Sequence, residues 1–141
     1  MKLKNILTLV AACAIAVPTF ARAEDDTPMG KEMEKLSKAL KAVNRNIGDA
    51  AQKDANLEKI AAAKAACEAA VKYEPAKTKD VPAADKAKFV DEFKASMVEV
   101  GKNLDALKAA VEAGKTDEAK GLIEKLNGQK KDGHKKFKSD D

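Results

Sequence analysis

Apolar residues recur at helical spacing in four stretches of this chain, with polar residues filling the positions between. In the first, Met29, Met33, Leu36, Leu40, Val43 and Ile47 step by 4, 3, 4, 3 and 4, which keeps all six on one face of a helix. Thr27-Pro28 opens that stretch as a hydroxyl cap followed by proline at the first helical position, and Gly48 is the expected stop. The second runs from about Asp54 or Asn56 to Glu74, with Leu57, Ile60, Ala63, Cys67, Ala70 and Val71 sharing a face. Pro75 ends it, and residues 76–84 read as a loop punctuated by Pro75 and Pro82. The third runs from about Asp85 to Ala113, where Phe89, Phe93, Met97, Val100, Leu104, Leu107 and Val111 hold the same rhythm until Gly114 closes it. The fourth is capped by Thr116 or Asp117, buries Ala119, Leu122, Ile123, Leu126, Gly133 and Phe137, and frays after Lys138.

Nothing in the pattern reads as a strand or a structural repeat. The abundance of Ala, Lys, Glu and Leu supports helix throughout. Two short connections and one moderate one force sequential helices to lie antiparallel. The fold expected is therefore an all-α, antiparallel up-down-up-down four-helix bundle.

Ahead of the first helix the pattern changes. Lys2 and Lys4 form a positive head, Ile6 to Phe20 is apolar except for Thr8, Pro18 and Thr19, and Ala21-Arg22-Ala23 has the small-x-small form that signal peptidase cleaves. The apolar run is too short to span a bilayer. Residues 1–23 are thus expected to be a signal peptide cleaved after Ala23, and residues 24–141 a single exported, periplasmic domain with no membrane attachment. Val10-Ala11-Ala12-Cys13 loosely resembles a lipobox, but the apolar run continues past Cys13 to the better cleavage site.

Removing that leader changes the charge picture. It takes Lys2, Lys4 and Arg22 with it and leaves 24 Lys and Arg against 23 Asp and Glu. An interspersed, near-neutral balance gives no case for nucleic acid, and carboxylates alternating with lysines read as a solvated, salt-bridged surface. Cys67 is then the one cysteine left, so the domain must be stable without an internal disulfide, and Cys67 itself reads as a small buried hydrophobe. No Cys-x-x-Cys-His occurs, which disfavours covalent haem attachment, and one His with one Cys cannot build a four-ligand zinc site. No nucleophile triad or phosphate loop is present, and the chain is not expected to be an enzyme.

The antiparallel topology brings specific residues to one end. Where the first helix starts, the second ends, the third starts and the fourth ends. That end gathers Met29, Met33 and Leu36, residues 71–75, Phe89 and Phe93, and residues 130–137. His134, the sole histidine, is about 6 Å from the end of its helix, and Met33 is about 8 Å from the start of its own. Either residue alone would be ordinary, a surface histidine and a core-filling methionine. At matched depth they are a recognised axial pair for haem iron, in which the soft, neutral sulfur favours the ferrous state. Met29 is the competing sulfur, one turn from Met33, whereas Met97 is about 18 Å along its helix and reads as core.

Three segments carry a family resemblance. Met33-Glu34-Lys35-Leu36-Ser37-Lys38-Ala39-Leu40-Lys41 resembles the first helix of the cytochrome b562 family, Phe89-Val90-Asp91-Glu92-Phe93 its third-helix Phe-x-x-x-Phe, and His134-Lys135-Lys136-Phe137-Lys138 its terminal His-x-x-aromatic-basic end. The resemblance covers nearly the whole mature chain, in order. Cytochrome b562 is itself a standing example of the up-down-up-down bundle, so resemblance and loop lengths are not independent support for that topology. The resemblance implies a periplasmic electron-transfer protein holding one non-covalent haem b, with Met33 and His134 as iron ligands and Leu36, Phe89 and Phe93 as pocket walls. Lys130 and Lys138 stand where the family pattern has Arg. Lysine can meet a propionate only as a point charge, without the bidentate fork. A monomer with a transient, unidentified redox protein as partner is expected. The competing readings are a haem-free periplasmic bundle acting in binding or stress, and a soft-metal sensor built on Met29, Met33 and His134.

Overall fold

The computed structural model describes residues 26–138. The leader read over residues 1–23, with Cys13 and the cleavage site after Ala23, lies outside the described residues, as do residues 139–141. Four helices follow one another: α1 (Pro28–Asn46), α2 (Lys53–Ala70), α3 (Lys86–Glu112) and α4 (Thr116–Phe137). No strand occurs among the described residues, and none of their helices is long and apolar enough to cross a membrane.

Local chemistry fixes the helix ends. Thr27 is extended and its hydroxyl accepts from Gly30 N at 3.0 Å, with Pro28 in the first turn, where its missing N–H costs nothing. Between α3 and α4, Gly114 adopts φ +70°, Gly114 N donates to Val111 O at 3.1 Å and Lys115 N to Ala110 O at 2.9 Å. This is a Schellman closure, and it needs a residue that enters the left-handed region without strain.

Cross-helix contacts show the antiparallel order. Asn56 near the start of α2 donates to Asn46 O at the end of α1, and Lys53 Nζ donates to Glu112 O at the end of α3. Lys136 near the end of α4 pairs with Glu92 near the start of α3 at 2.9 Å, and that ammonium holds the Glu92 carboxyl below its usual range. Val43, Ile60, Leu104, Leu107, Ile123 and Leu126 fill the centre, nearly or wholly buried. Each such side chain contributes about 1.5–3 kcal/mol by leaving water. Cys67 belongs to this core: its thiol donates to Met97 O at 3.3 Å, and burial, followed by the nearby Glu68 charge and opposed by Lys64, pushes it up to about 11. Outside, pairs such as Lys38–Glu34 at 2.8 Å and Lys108–Glu112 at 2.9 Å are exposed, one turn apart, and contribute only tenths of a kcal/mol each.

Two stretches differ from the sequence expectation. Helix α2 stops at Ala70 instead of Glu74, and the chain tightens through Lys72 N to Ala69 O and Tyr73 N to Ala70 O. Pro75 disfavours helical backbone at the residue before it. The segment read as a loop contains a 3-10 turn at Ala76–Asp80, anchored by buried Pro75 and Thr78 against α3 and α4. A second 3-10 turn, Ala50–Gln52, leads into α2 and starts the helix at Lys53, before Asp54; the Asp49 carboxylate caps it by accepting from Ala51 N at 2.9 Å.

Packing is uneven around the bundle. Helix α1 lies along α2, α2 along α3 and α3 along α4, whereas α1 and α4 meet over only a few residues. The functional question concentrates in that gap.

Candidate functional site between the first and last helices

The gap is a half-open cleft of about 230 Å³. Helix α1 contributes Met29, Met33, Leu36, Ser37 and Leu40, because these lie on the flank of its apolar face that turns away from α2. Helix α3 supplies the floor with Phe93, Met97 and Val100, and α4 supplies the far wall with Leu126, Gln129, Lys130, Gly133, His134 and Phe137. The wall surface is mostly carbon, sulfur and aromatic ring.

His134 stands three residues before buried Phe137, so it lies on the edge of the α4 apolar stripe; it lines the cleft from an exposed rim position. Half-buried Met33 lines the cleft from α1. The residues that carry the chain's one imidazole and one of its thioethers thus line a single apolar space, from α4 and from α1. Next to the histidine, Gly133 lines the cleft, and apart from its chain neighbours and its own helix backbone nothing lies within 4 Å of where a Cβ there would stand, so the space reaches the α4 backbone.

Polar groups mark the edges. Lys130 Nζ donates to Ser37 Oγ at 2.6 Å, bridging α4 to α1. Partial burial, and after it the Lys41 ammonium, hold Lys130 below the ordinary lysine value. Asn103, buried on α3, donates its Nδ2 to Gln129 Oε1 at 2.9 Å and so orients the one amide in the cleft wall.

Among the residues singled out from sequence, the cleft brings together Met33, Leu36, Phe93 and His134, and also Met29. It does not include Phe89. That ring packs edge-on against Phe137, centroids 5.3 Å apart at 61°, while Phe93 meets the same ring at 5.4 Å and 74°. Phe89 therefore supports the cleft wall through its packing on Phe137. Met97, read as core, is both: it is buried and floors the cleft. Sequence reasoning missed Ser37 and Gln129. Both are polar residues in line with apolar ones on an inward flank, and that interruption is the signal that could have flagged them.

Among the described residues no three His, Cys, Asp or Glu side chains cluster as a metal site. The donors at hand are one nitrogen and soft sulfurs on an apolar slot, which suits a flat, largely hydrophobic ligand carrying its own metal better than a bare ion. A family model described as cytochrome b562 matches residues 29–138. No curated protein matches the chain.

Proposed function

The chain belongs to the cytochrome b562 family of haem-binding electron-transfer proteins, and from that premise we propose that its cleft holds one haem b, non-covalently, between Met33 and His134. The observation that carries the proposal is that these two donors line the same apolar cleft from α1 and α4, the neighbouring helices that barely touch.

The residues present fit the group. Leu36, Leu40, Phe93, Met97 and Leu126 offer apolar walls of the kind a macrocycle needs, and open space beside Gly133 lets a flat ring approach the α4 backbone. Lys130 at the edge, with Lys138 one turn beyond His134, supplies cationic partners for propionates. Haem b, when bound, supplies a ferric/ferrous one-electron couple. The chain's own work is to bind, orient and shield. His134 gives a nitrogen donor, and the neutral Met33 sulfur favours the reduced state. Held by both His134 and Met33, a bound iron would be left no position for oxygen or substrate, which suits electron transfer and not bond-making chemistry. The rest of the reading is an exported, periplasmic, monomeric domain, cleaved after Ala23, that exchanges electrons with a transient redox protein.

The test is an absorption titration of the purified mature domain with haemin. Wild type should give one equivalent of tight binding, an intense Soret band and sharp visible bands on reduction. Met33→Ala should still bind haem with altered ligation and a lower potential, and His134→Ala should bind severely more weakly. If both variants keep the parent spectrum, the ligand assignment is wrong.

A further inference from the structure

We infer that the outer flanks of α1 and α4, on either side of the cleft mouth, form a docking surface for an acidic protein face. The inference rests on the electron-transfer reading above, since it names the partner chemistry for that same site.

Charge is distributed unequally among the helices. Helix α2 carries three basic and three acidic side chains, and α3 five and five. Helix α1 carries five basic against two acidic, and α4 six against four. All the helical surplus thus belongs to the two helices that border the cleft, although the mature chain as a whole is close to neutral. On α1, Lys31, Lys35, Lys38, Lys41 and Arg45 step by 4, 3, 3 and 4 and share one exposed flank. On α4, Lys130 and Lys131 stand four and three before His134, on its side of the helix, and exposed Lys135 lies one turn beyond Lys131.

The two flanks face one another closely enough to interact. Lys130 Nζ of α4 reaches Ser37 Oγ of α1 at 2.6 Å, and the Lys41 charge, one turn along α1 from Ser37, bears on that ammonium. The acid nearest the mouth on α1, Glu34, is held by Lys38 at 2.8 Å. Like charges brought together across an opening form a potential that an acidic surface would relieve, and such a field raises association rates by about 10–1000-fold. A positive patch confined to the flanks of two helices, at the mouth of the cleft through which an electron would pass, fits a compact acidic protein face better than a membrane. Docking there would bring the partner to the rim where His134 stands.

The experiment uses haem-loaded mature protein and the triple variant Lys41→Glu, Lys131→Glu, Lys135→Glu, none of which lies in the cleft wall. One electron passes from the reduced protein to hexacyanoferrate(III), giving hexacyanoferrate(II), or to hexaammineruthenium(III), giving the ruthenium(II) complex. Stopped-flow rates are measured against ionic strength for each. Wild type should react more slowly with the anionic oxidant as salt rises and faster with the cationic one. The variant, with an unchanged Soret band, should reverse both trends and lose about tenfold in rate with the anion at low salt. A cofactor-independent readout is the mapping of amide shifts on adding a poly-glutamate peptide, which should fall on α1 and α4 and vanish in the variant. Identical salt trends for the two oxidants, shifts spread over α2 and α3, or preferential binding to vesicles of anionic phospholipid would overturn the inference. Loss of the Soret band in wild type would instead strike the haem reading.

Discussion

Phe137 holds the end of α4 that carries His134, and its truncation should cost clearly more than that of its ring partner Phe89. The ring is 7% exposed and meets two others edge-on, Phe89 at 5.3 Å and Phe93 at 5.4 Å. Buried Phe→Ala changes cost about 3–5 kcal/mol, and aromatic pairs of this kind contribute about 0.5–1.5 kcal/mol each beyond area. Because Phe137 is the last helical residue, the chain beyond it has room to collapse into the vacancy, so about 3 kcal/mol is expected. Phe89, half-buried and joined to one ring, should cost about 1.5 kcal/mol. The assay is urea unfolding of haem-free protein followed by far-ultraviolet circular dichroism, which removes any ligand contribution. At a slope of about 1.5 kcal/mol/M, Phe137→Ala should lower the midpoint by about 2 M and Phe89→Ala by about 1 M. The double variant should show a coupling of about 0.5–1.5 kcal/mol between the two. Equal costs for the single variants, or zero coupling, would refute the view that this aromatic clasp secures α4.

Three further outcomes follow from other parts of the bundle. Gly114→Ala should destabilise by about 1–2 kcal/mol, read from thermal unfolding, since the turn there needs positive φ; no loss would mean the closure can be made another way. The Cys67 thiol should resist alkylating reagents in the folded protein at pH 8 and react once urea unfolds it. Its folded value of about 11 stands above the ordinary thiol value of 9.0, so the unfolded state gives up its proton first. The thiol's contribution to stability is therefore complete below about pH 9 and declines as pH rises toward 11, a fall that Cys67→Ala should lack. Haem loading should raise the melting temperature in a concentration-dependent way, because the cleft exists only in the folded state, and equal melting with and without haem would contradict a buried cofactor.

How much of this could be read from the chain alone depends on how strongly each segment is patterned. Helices α1 and α3 carry branched or bulky apolar residues at almost every core position, so their faces and limits were legible to within two residues. In α2 the stretch from Ala61 to Ala70 is mostly alanine, equally at home on either face, and nothing in it marks Ala70 as the last helical residue. The 3-10 turn after Pro75 depends on packing of Pro75 and Thr78 against distant helices, which no local pattern records. At the site, helix order alone brought Met33 and His134 to one end, because depth in an antiparallel bundle follows from counting residues. What counting could not supply was azimuth. Phe89 and Phe93, one turn apart, are equivalent in the pattern, yet Phe93 is buried in the cleft wall while Phe89 is half-buried and packs on Phe137. The Lys130–Ser37 bridge likewise depends on the distance between α1 and α4, which loop lengths do not fix.

The ligand pair itself is best examined by carbon-detected magnetic resonance of reduced, haem-loaded protein carrying labelled methionine methyls. A thioether bound to iron lies over the centre of the macrocycle, where the ring current moves its methyl far upfield. One methyl should be so displaced, and it should disappear in Met33→Leu while surviving in Met29→Leu. Assignment of that signal to Met29 or Met97, or three methyls all at ordinary shifts, would contradict coordination by Met33.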